Sequence, residues 1–86
     1  MHKPPSIVQA RQSVGVVHCL DTVNRELTVR VSGQLWIFDV PVECKIVLHG
    51  ERVRFRMLQP ADRVRITHAG QGDRPVAIRI EVGSPT

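Results

Sequence analysis

The stretch ELTVRVSGQLWIFDV, Glu26 to Val40, carries the clearest strand pattern in this sequence. In its first half Leu27, Val29 and Val31 alternate with polar residues. This period of two is typical of a β-strand that turns one face to a core and the other to water. The dipeptide Ser32-Gly33 then supplies a tight turn. We therefore expect a β-hairpin in which the three apolar residues of the first strand face the core.

The second strand of this hairpin is apolar on both faces at its centre. We assign Trp36, Phe38 and Val40 to the core, which leaves Leu35 and Ile37 outside or beneath a loop. The opposite assignment of the two faces stays open. The exposure of Trp36 is therefore left undecided at this point.

Turn signals recur along the rest of the chain about every eight to twelve residues, as in all-β sandwiches and barrels. Further strands are predicted at about Ser13–Leu20, Lys45–Leu48, Arg63–Thr67 and Val76–Val82, with a return strand carrying Val53 and Phe55. After Lys45–Leu48, His49-Gly50 predicts a tight hairpin turn, and residues 70–73 predict a loose hairpin loop before the last strand. Inward residues are expected to include Val53, Phe55, Val64, Ile66, Ile78, Ile80 and Val82. Five or six strands without substantial helix predict an all-β, OB-like or SH3-like barrel. We expect one domain over residues 12–82, a flexible N-terminal tail over 1–11 and a C-terminal tail over 83–86.

Three irregularities are expected within this pattern. The step from Val17 to Leu20 indicates a bulge near His18-Cys19. The break in alternation at Leu58 indicates a coil or one 3₁₀ turn at residues 57–59. The Pro60-Ala61-Asp62 segment is a turn, and because alanine disfavours a positive φ we expect type I rather than type II.

Three segments together resemble a known family of barrels. GVVHCLDTVNRELTV, LQPADRVRI and VAIRIEV occur in the order found in small bacterial OB-like β-barrel domains. The set is similar, more distantly, to the OB-fold copper- and silver-binding subunits of metal efflux systems. Those subunits bind metal through a His that ends strand two and Met residues that enter strand three, with a Trp nearby. Here the matching positions hold Arg30-Val31 and Gln34-Leu35-Trp36, so we expect no metal site of that kind and no cofactor.

The charge balance favours an anionic partner. Twelve Lys and Arg stand against eight Asp and Glu, and ten of the twelve bases are Arg. If neighbouring strands carry them, the pairs Arg54/Arg56 and Arg63/Arg65 form one cluster of guanidinium groups. The candidate nucleic-acid-binding residues are Arg54, Arg56, Arg63, Arg65, Arg30, Arg79 and Trp36. The alternative is that these arginines only form the solvated side of an alternating sheet.

The sequence contains no nucleophile elbow, no phosphate-cradling glycine loop and no carboxylate pair at a recognisable spacing, so we expect no enzyme. The simplest function is a non-catalytic module that binds nucleic acid through an arginine-rich sheet face. The alternative is a protein-interaction or assembly module, associated with an export or efflux system, that uses Leu35, Ile37 or an unpaired strand edge. The expected partner is accordingly a nucleic acid or an acidic protein surface, and the oligomeric state is left open.

Location and thiol state depend on each other. No apolar segment is long enough for a signal peptide or a membrane span, so we expect a cytoplasmic protein, or a periplasmic one if the native N-terminus lies upstream. In a reducing cytosol Cys19 and Cys44 are buried free thiols, whereas export would make a disulfide between them credible.

Overall fold

The computed structural model describes residues 10–70 and 74–83. These ranges contain seven strands, one 3₁₀ turn and no α-helix. The strands are β1 Arg11–Asp21, β2 Glu26–Val31, β3 Gln34–Asp39, β4 Lys45–Leu48, β5 Glu51–Arg52, β6 Arg63–Ala69 and β7 Val76–Val82, and the 3₁₀ turn is Phe55–Met57. The all-β prediction is confirmed. Within these ranges the single helical segment falls far short of the length and apolarity that a membrane-crossing helix needs.

The strands form one sheet that curls into a partly closed barrel. Their order is β3-β2-β1-β6-β7-β4-β5, and β3 also pairs with β7 in parallel where Asp39 meets Val76. Arg74 holds this seam, since its Nη1 lies 2.7 Å from Oε2 of Glu26 and 3.1 Å from Oδ1 of Asp39. The hydrogen bond and charge of Glu26 raise the pKa of Arg74 above its usual value. Along 34–38, the outer edge of β3 pairs with no other described strand.

The core follows the predicted alternation over most of the barrel. Eight residues assigned inward are buried: Leu27, Val29, Phe38, Val40, Phe55, Val64, Ile66 and Ile80. Val31, Val53 and Val82 are half-buried and pack against this cluster. Each fully buried side chain of this size contributes about 1.5–3 kcal/mol relative to its exposed state.

Two bulges bend the sheet, and only one of them was expected. In β1 the register shifts between Val17 and Cys19, which confirms the bulge at His18. In β7 Ala77 pairs with His68 and Arg79 with Thr67, so that Ile78 is the extra residue. The bulge turns Ile78 outward, where it is 45% exposed, and buries Ala77 in its place. The assignment of Ile78 to the core was therefore wrong.

Trp36 departs from its predicted place in the core. Trp36 pairs across the hairpin with Val29, which is buried. Trp36 is nevertheless 38% exposed, because β3 is the edge strand where the barrel stays open. The ring stacks on that of Phe38 with centroids 6.2 Å apart. Leu35 and Ile37 are exposed, as expected.

The predicted turns form, but one has an unexpected type. Ser32-Gly33 and His49-Gly50 both adopt positive φ, the conformation of two-residue hairpin turns. Ala61 has a φ of 80°, and the Asp62 N–H donates to the carbonyl of Gln59 at 3.1 Å, which is a type II turn rather than type I. The reason is anchoring to β1. The Ala61 N–H donates to the Val17 carbonyl and the Val17 N–H donates to the Asp62 carbonyl, both at 2.8 Å.

Some boundaries differ from the expectation, and others lie beyond the described residues. β1 begins at Arg11, two residues before the predicted start at Ser13. The 3₁₀ turn covers Phe55–Met57, two residues before the predicted one. The expected loop at 71–73 and most of both tails, residues 1–9 and 84–86, fall outside the described residues, so the domain limits stay a prediction.

Candidate binding face

Strand register aligns charged and apolar side chains on the outer surface of the barrel. Leu35, Arg30, Val16 and Arg63 lie directly opposite one another across β3, β2, β1 and β6. Residues in direct register project to the same side of a sheet. Their neighbour Val17 is buried, so this row faces outward.

Two further rows extend the same surface. One runs through Val14, Arg65, Glu81, Val47 and Arg52, and the other through Thr67, Arg79 and Lys45. The row that begins at Val14 borders a shallow depression of about 910 Å³, and Lys45, Arg63 and Arg79 also line this depression. We call this surface the arginine face. It consists of Arg30, Arg52, Arg63, Arg65, Arg79, Lys45 and Glu81, together with Val14, Val16, Val47 and Leu35.

The arginine face is strongly basic. Among its described residues six are basic and one, Glu81, is acidic. Arg79 donates to Oε2 of Glu81 from Nη2 at 2.9 Å and from Nε at 3.2 Å. Arg30, Arg63 and Arg65 make no side-chain hydrogen bond or ion pair to another described residue. These three arginines therefore gain no stability from ion pairs with other described residues, and the exposed ion pair of this face, Arg79 with Glu81, adds little stability.

The predicted cluster of two arginine pairs does not form. Arg54 lies in coil, Arg56 lies in the 3₁₀ turn, and β7 and β4 separate β5 from β6. The prediction that Arg54 and Arg56 share a strand face next to Arg63 and Arg65 was wrong. The chain leaves its strand after Arg52 because the buried residues Phe55 and Leu58 are three apart, a helical rather than a strand spacing.

Trp36 also lies apart from the arginine face. It projects to the side of Val29 and Phe38, opposite to Leu35. Of the seven candidate residues, the register brings together Arg30, Arg63, Arg65 and Arg79 only. Lys45 and Arg52 were missed, although buried Ile46 already implies that Lys45 and Val47 face outward.

The groups able to bind a metal are dispersed. Residues 10–70 and 74–83 contain no cluster of three or more His, Cys, Asp or Glu side chains. The positions at which the family resemblance would place ligands include Val31, Gln34 and Trp36, and the first two pair directly across the hairpin. That the chain binds no soft metal there stays a prediction.

His68 and the two cysteines differ in their exposure. His68 is buried, with its Nε2 2.8 Å from Oγ of Ser13 and its ring edge-on to Phe38 at 5.2 Å. Burial lowers the pKa of His68, and the charge of Arg11 adds to this. Cys19 and Cys44 are both free thiols, but Cys19 is exposed, so its expected burial was wrong. Burial raises the pKa of Cys44 to about 11.

Solved structures resemble this chain in fold at low sequence identity. No protein-family model matches it, and a search of curated proteins found no match. A structure of CusF with Ag(I) is 18% identical, with a TM-score of 0.70 over 87% of this chain and 99% of that chain.

Two structures of CusF from Escherichia coli match at a TM-score of 0.72. The Ag(I) form is 17% identical and covers 92% of this chain and 98% of its own. The apo form is 16% identical and covers 98% of this chain and 99% of its own. At such identities the likeness concerns the fold alone, and it confirms the predicted small OB-like barrel.

Proposed function

We propose that this chain is a non-catalytic binding module that docks through its arginine face onto an acidic surface of a protein partner. The observation that carries the proposal is the aligned row Leu35, Arg30, Val16 and Arg63. Interfaces between proteins combine apolar side chains with arginine, which is enriched in them, whereas lysine is depleted. Five of the six bases on this face are arginine, and their forked donors suit carboxylates.

The apolar part of the face favours a protein over a nucleic acid. Val14 is 63% exposed and Leu35 49%, and neither side chain can contact a phosphate favourably. Proteins that hold single strands use exposed rings for base stacking, and Trp36, the half-exposed ring, lies on the other side of β3. Nucleic-acid binding through Arg30, Arg63, Arg65 and Arg79 is the competing proposal, supported by the excess of basic charge.

The partner is proposed to belong to an export or efflux assembly. Support comes from the likeness to CusF structures, some of which carry Ag(I), and from the sequence resemblance to efflux subunits. The role proposed for this chain in such an assembly is docking rather than metal carriage, because Val31 and Trp36 offer no thioether or imidazole. Titration of a Cys19→Ser variant with Ag(I), in which the exposed thiol cannot bind the metal, is expected to leave the fluorescence of Trp36 unchanged, and quenching at equimolar metal would contradict this.

The docking proposal can be tested with model anions. The chain is titrated with a peptide of alternating Glu and Leu, a poly-Glu peptide of equal length, and a single-stranded oligonucleotide. We expect the Glu-Leu peptide to bind most tightly, since its leucines cover Val14 and Val16. The double variant V14S/V16S should remove that advantage without changing oligonucleotide affinity.

Charge variants separate the arginine face from the rest of the surface. Replacing Arg30 and Arg63 by Gln should weaken the binding of both peptides to the arginine face. The matched double variant at Arg54 and Arg56 should leave that binding unchanged. Tightest binding of the oligonucleotide, with a log–log salt slope of about −4 as expected for four to five phosphate contacts, would refute docking to protein in favour of nucleic acid.

A further inference from the structure

A second cleft lies on the barrel between the β1–β2 turn, the β4–β5 hairpin and the 3₁₀ turn. Its volume is about 380 Å³, within the range of roughly 300–1,000 Å³ typical of small-molecule sites. The lining residues are Thr22, Arg25, Val42, Cys44, Ile46, Arg52, Val53, Arg54, Phe55 and Arg56. The cleft thus collects Arg54 and Arg56, the two candidate arginines that the arginine face does not include.

The floor of this cleft is apolar. Ile46, Cys44 and Phe55 are buried in the core at its base, and Val53 is half-buried beside them. Because the pKa of Cys44 is raised to about 11, its thiol is neutral near pH 7 and adds no negative charge. The floor therefore suits an apolar group of a ligand.

The rim of the cleft is cationic. Arg52, Arg54 and Arg56 are exposed, and none makes a side-chain hydrogen bond or ion pair with another described residue. No described Asp or Glu lines the cleft, and the hydroxyl of Thr22 is a further donor. This rim offers unpaired guanidinium groups to an anion.

One further cation is held rigidly in the cleft. Arg25 donates from Nε to the Val40 carbonyl at 2.7 Å and from Nη2 to the Pro41 carbonyl at 3.3 Å. Its guanidinium carbon lies 5.3 Å from the centre of the Phe55 ring, a cation–π contact. A charge fixed in this way loses little conformational entropy when an anion binds.

We infer that this cleft binds a small organic anion, a carboxylate or phosphate ester that carries an apolar group. The guanidinium groups of Arg54 and Arg56 contact the anionic group, and the apolar group covers Phe55 and Ile46. Guanidinium forks match carboxylate and phosphate oxygens equally well in geometry. The inference goes beyond docking through the arginine face, because it depends on different residues. Arg52 lines both surfaces and is left out of the test for that reason.

The test is an NMR titration of the ¹⁵N-labelled full chain with benzoate, phenyl phosphate, inorganic phosphate and benzyl alcohol. We expect benzoate or phenyl phosphate to shift the amides of Thr22 and residues 53–56, and the tighter of the two identifies the anionic group. Inorganic phosphate lacks the apolar group and benzyl alcohol lacks the charge, so each should bind at least about tenfold more weakly.

Variants locate the site. Replacing Arg54 and Arg56 by Gln should lower the affinity for the tighter-binding probe about tenfold or more, as loss of a charge-assisted hydrogen bond implies. Both side chains are exposed and unpaired, so the amide spectrum should otherwise stay that of the folded chain. The matched double variant at Arg63 and Arg65 should bind like the unmodified chain.

Three results would overturn the inference. Equal affinity for inorganic phosphate would indicate general attraction of anions. Equal affinity for benzyl alcohol would indicate an apolar surface without anion selectivity. Equal loss in the Arg63 and Arg65 variant, or shifts confined to the arginine face, would place binding there instead. Docking of the Glu-Leu peptide is read from the Arg30 and Arg63 variant and binding of the small probes from the Arg54 and Arg56 variant, so either proposal can fail without the other.

Discussion

Replacing Ala61 by glycine should stabilise the chain. Ala61 has a φ of 80°, a region that costs an L-residue about 1–2 kcal/mol. Glycine adopts this φ freely but loses about 0.4–1 kcal/mol more conformational entropy on folding than alanine. The strain is the larger quantity, so we expect a net gain of about 0.5–1 kcal/mol in the free energy of unfolding.

The turn around Ala61 should survive this change. Its hydrogen bonds to Val17 involve only main-chain atoms, and the Asp62 carboxylate accepts the Gln59 N–H at 2.9 Å independently of residue 61. The gain therefore appears as stability alone. For a domain of this size it corresponds to a rise in Tm of about 2–8 °C, measurable by thermal denaturation followed by circular dichroism.

The matched control is Ala69→Gly. Ala69 lies in β6 and does not have a positive φ, so glycine should cost about 0.5–1 kcal/mol there. The two substitutions make the same chemical change and are expected to have opposite signs. Destabilisation of Ala61→Gly to the same extent as Ala69→Gly would refute the argument that backbone strain is stored at this turn.

Three other properties follow from the packing. Gly15→Ala should cost at least about 2 kcal/mol in urea unfolding, because its Cβ would overlap the carbonyl oxygen of Arg30 and force β1 away from β2; a loss below about 0.5 kcal/mol would contradict this close approach. The folded state lowers the pKa of His68 from 6.5, so the unfolded chain binds a proton at a higher pH than the folded chain does. The free energy of unfolding should therefore fall as the pH drops below about 6.5. His68→Gln should reduce that fall. A thiol reagent should modify exposed Cys19 at once and Cys44 only as the chain unfolds; equal rates in the native state would show that Cys44 is accessible.

Most of the barrel wall could be predicted from local pattern. The hairpin of β2 and β3, the turns at Ser32-Gly33 and His49-Gly50 and the alternation of Val64 and Ile66 were confirmed. Each depends on residues close together in sequence, where a strand period and a glycine turn suffice.

The candidate site was only half predictable, because only part of it depends on residues close together in sequence. Arg63 and Arg65 were placed on one face by their own strand, and that part was confirmed. Whether another arginine joins them depends on which strand lies alongside. Arg54 and Arg56 belong instead to a cleft whose walls come from three distant segments of the chain.

The residue pattern alone specifies short strands with one apolar face, because burial of alternate residues is a local property of each strand. The strand order, the outward turn of Ile78 and the positive φ of Ala61 are instead set by long-range contacts. These features depend on main-chain hydrogen bonds between residues far apart in sequence, such as Ala61 to Val17. Such bonds outweigh a preference of about 1–2 kcal/mol at a single residue, and no local pattern records them.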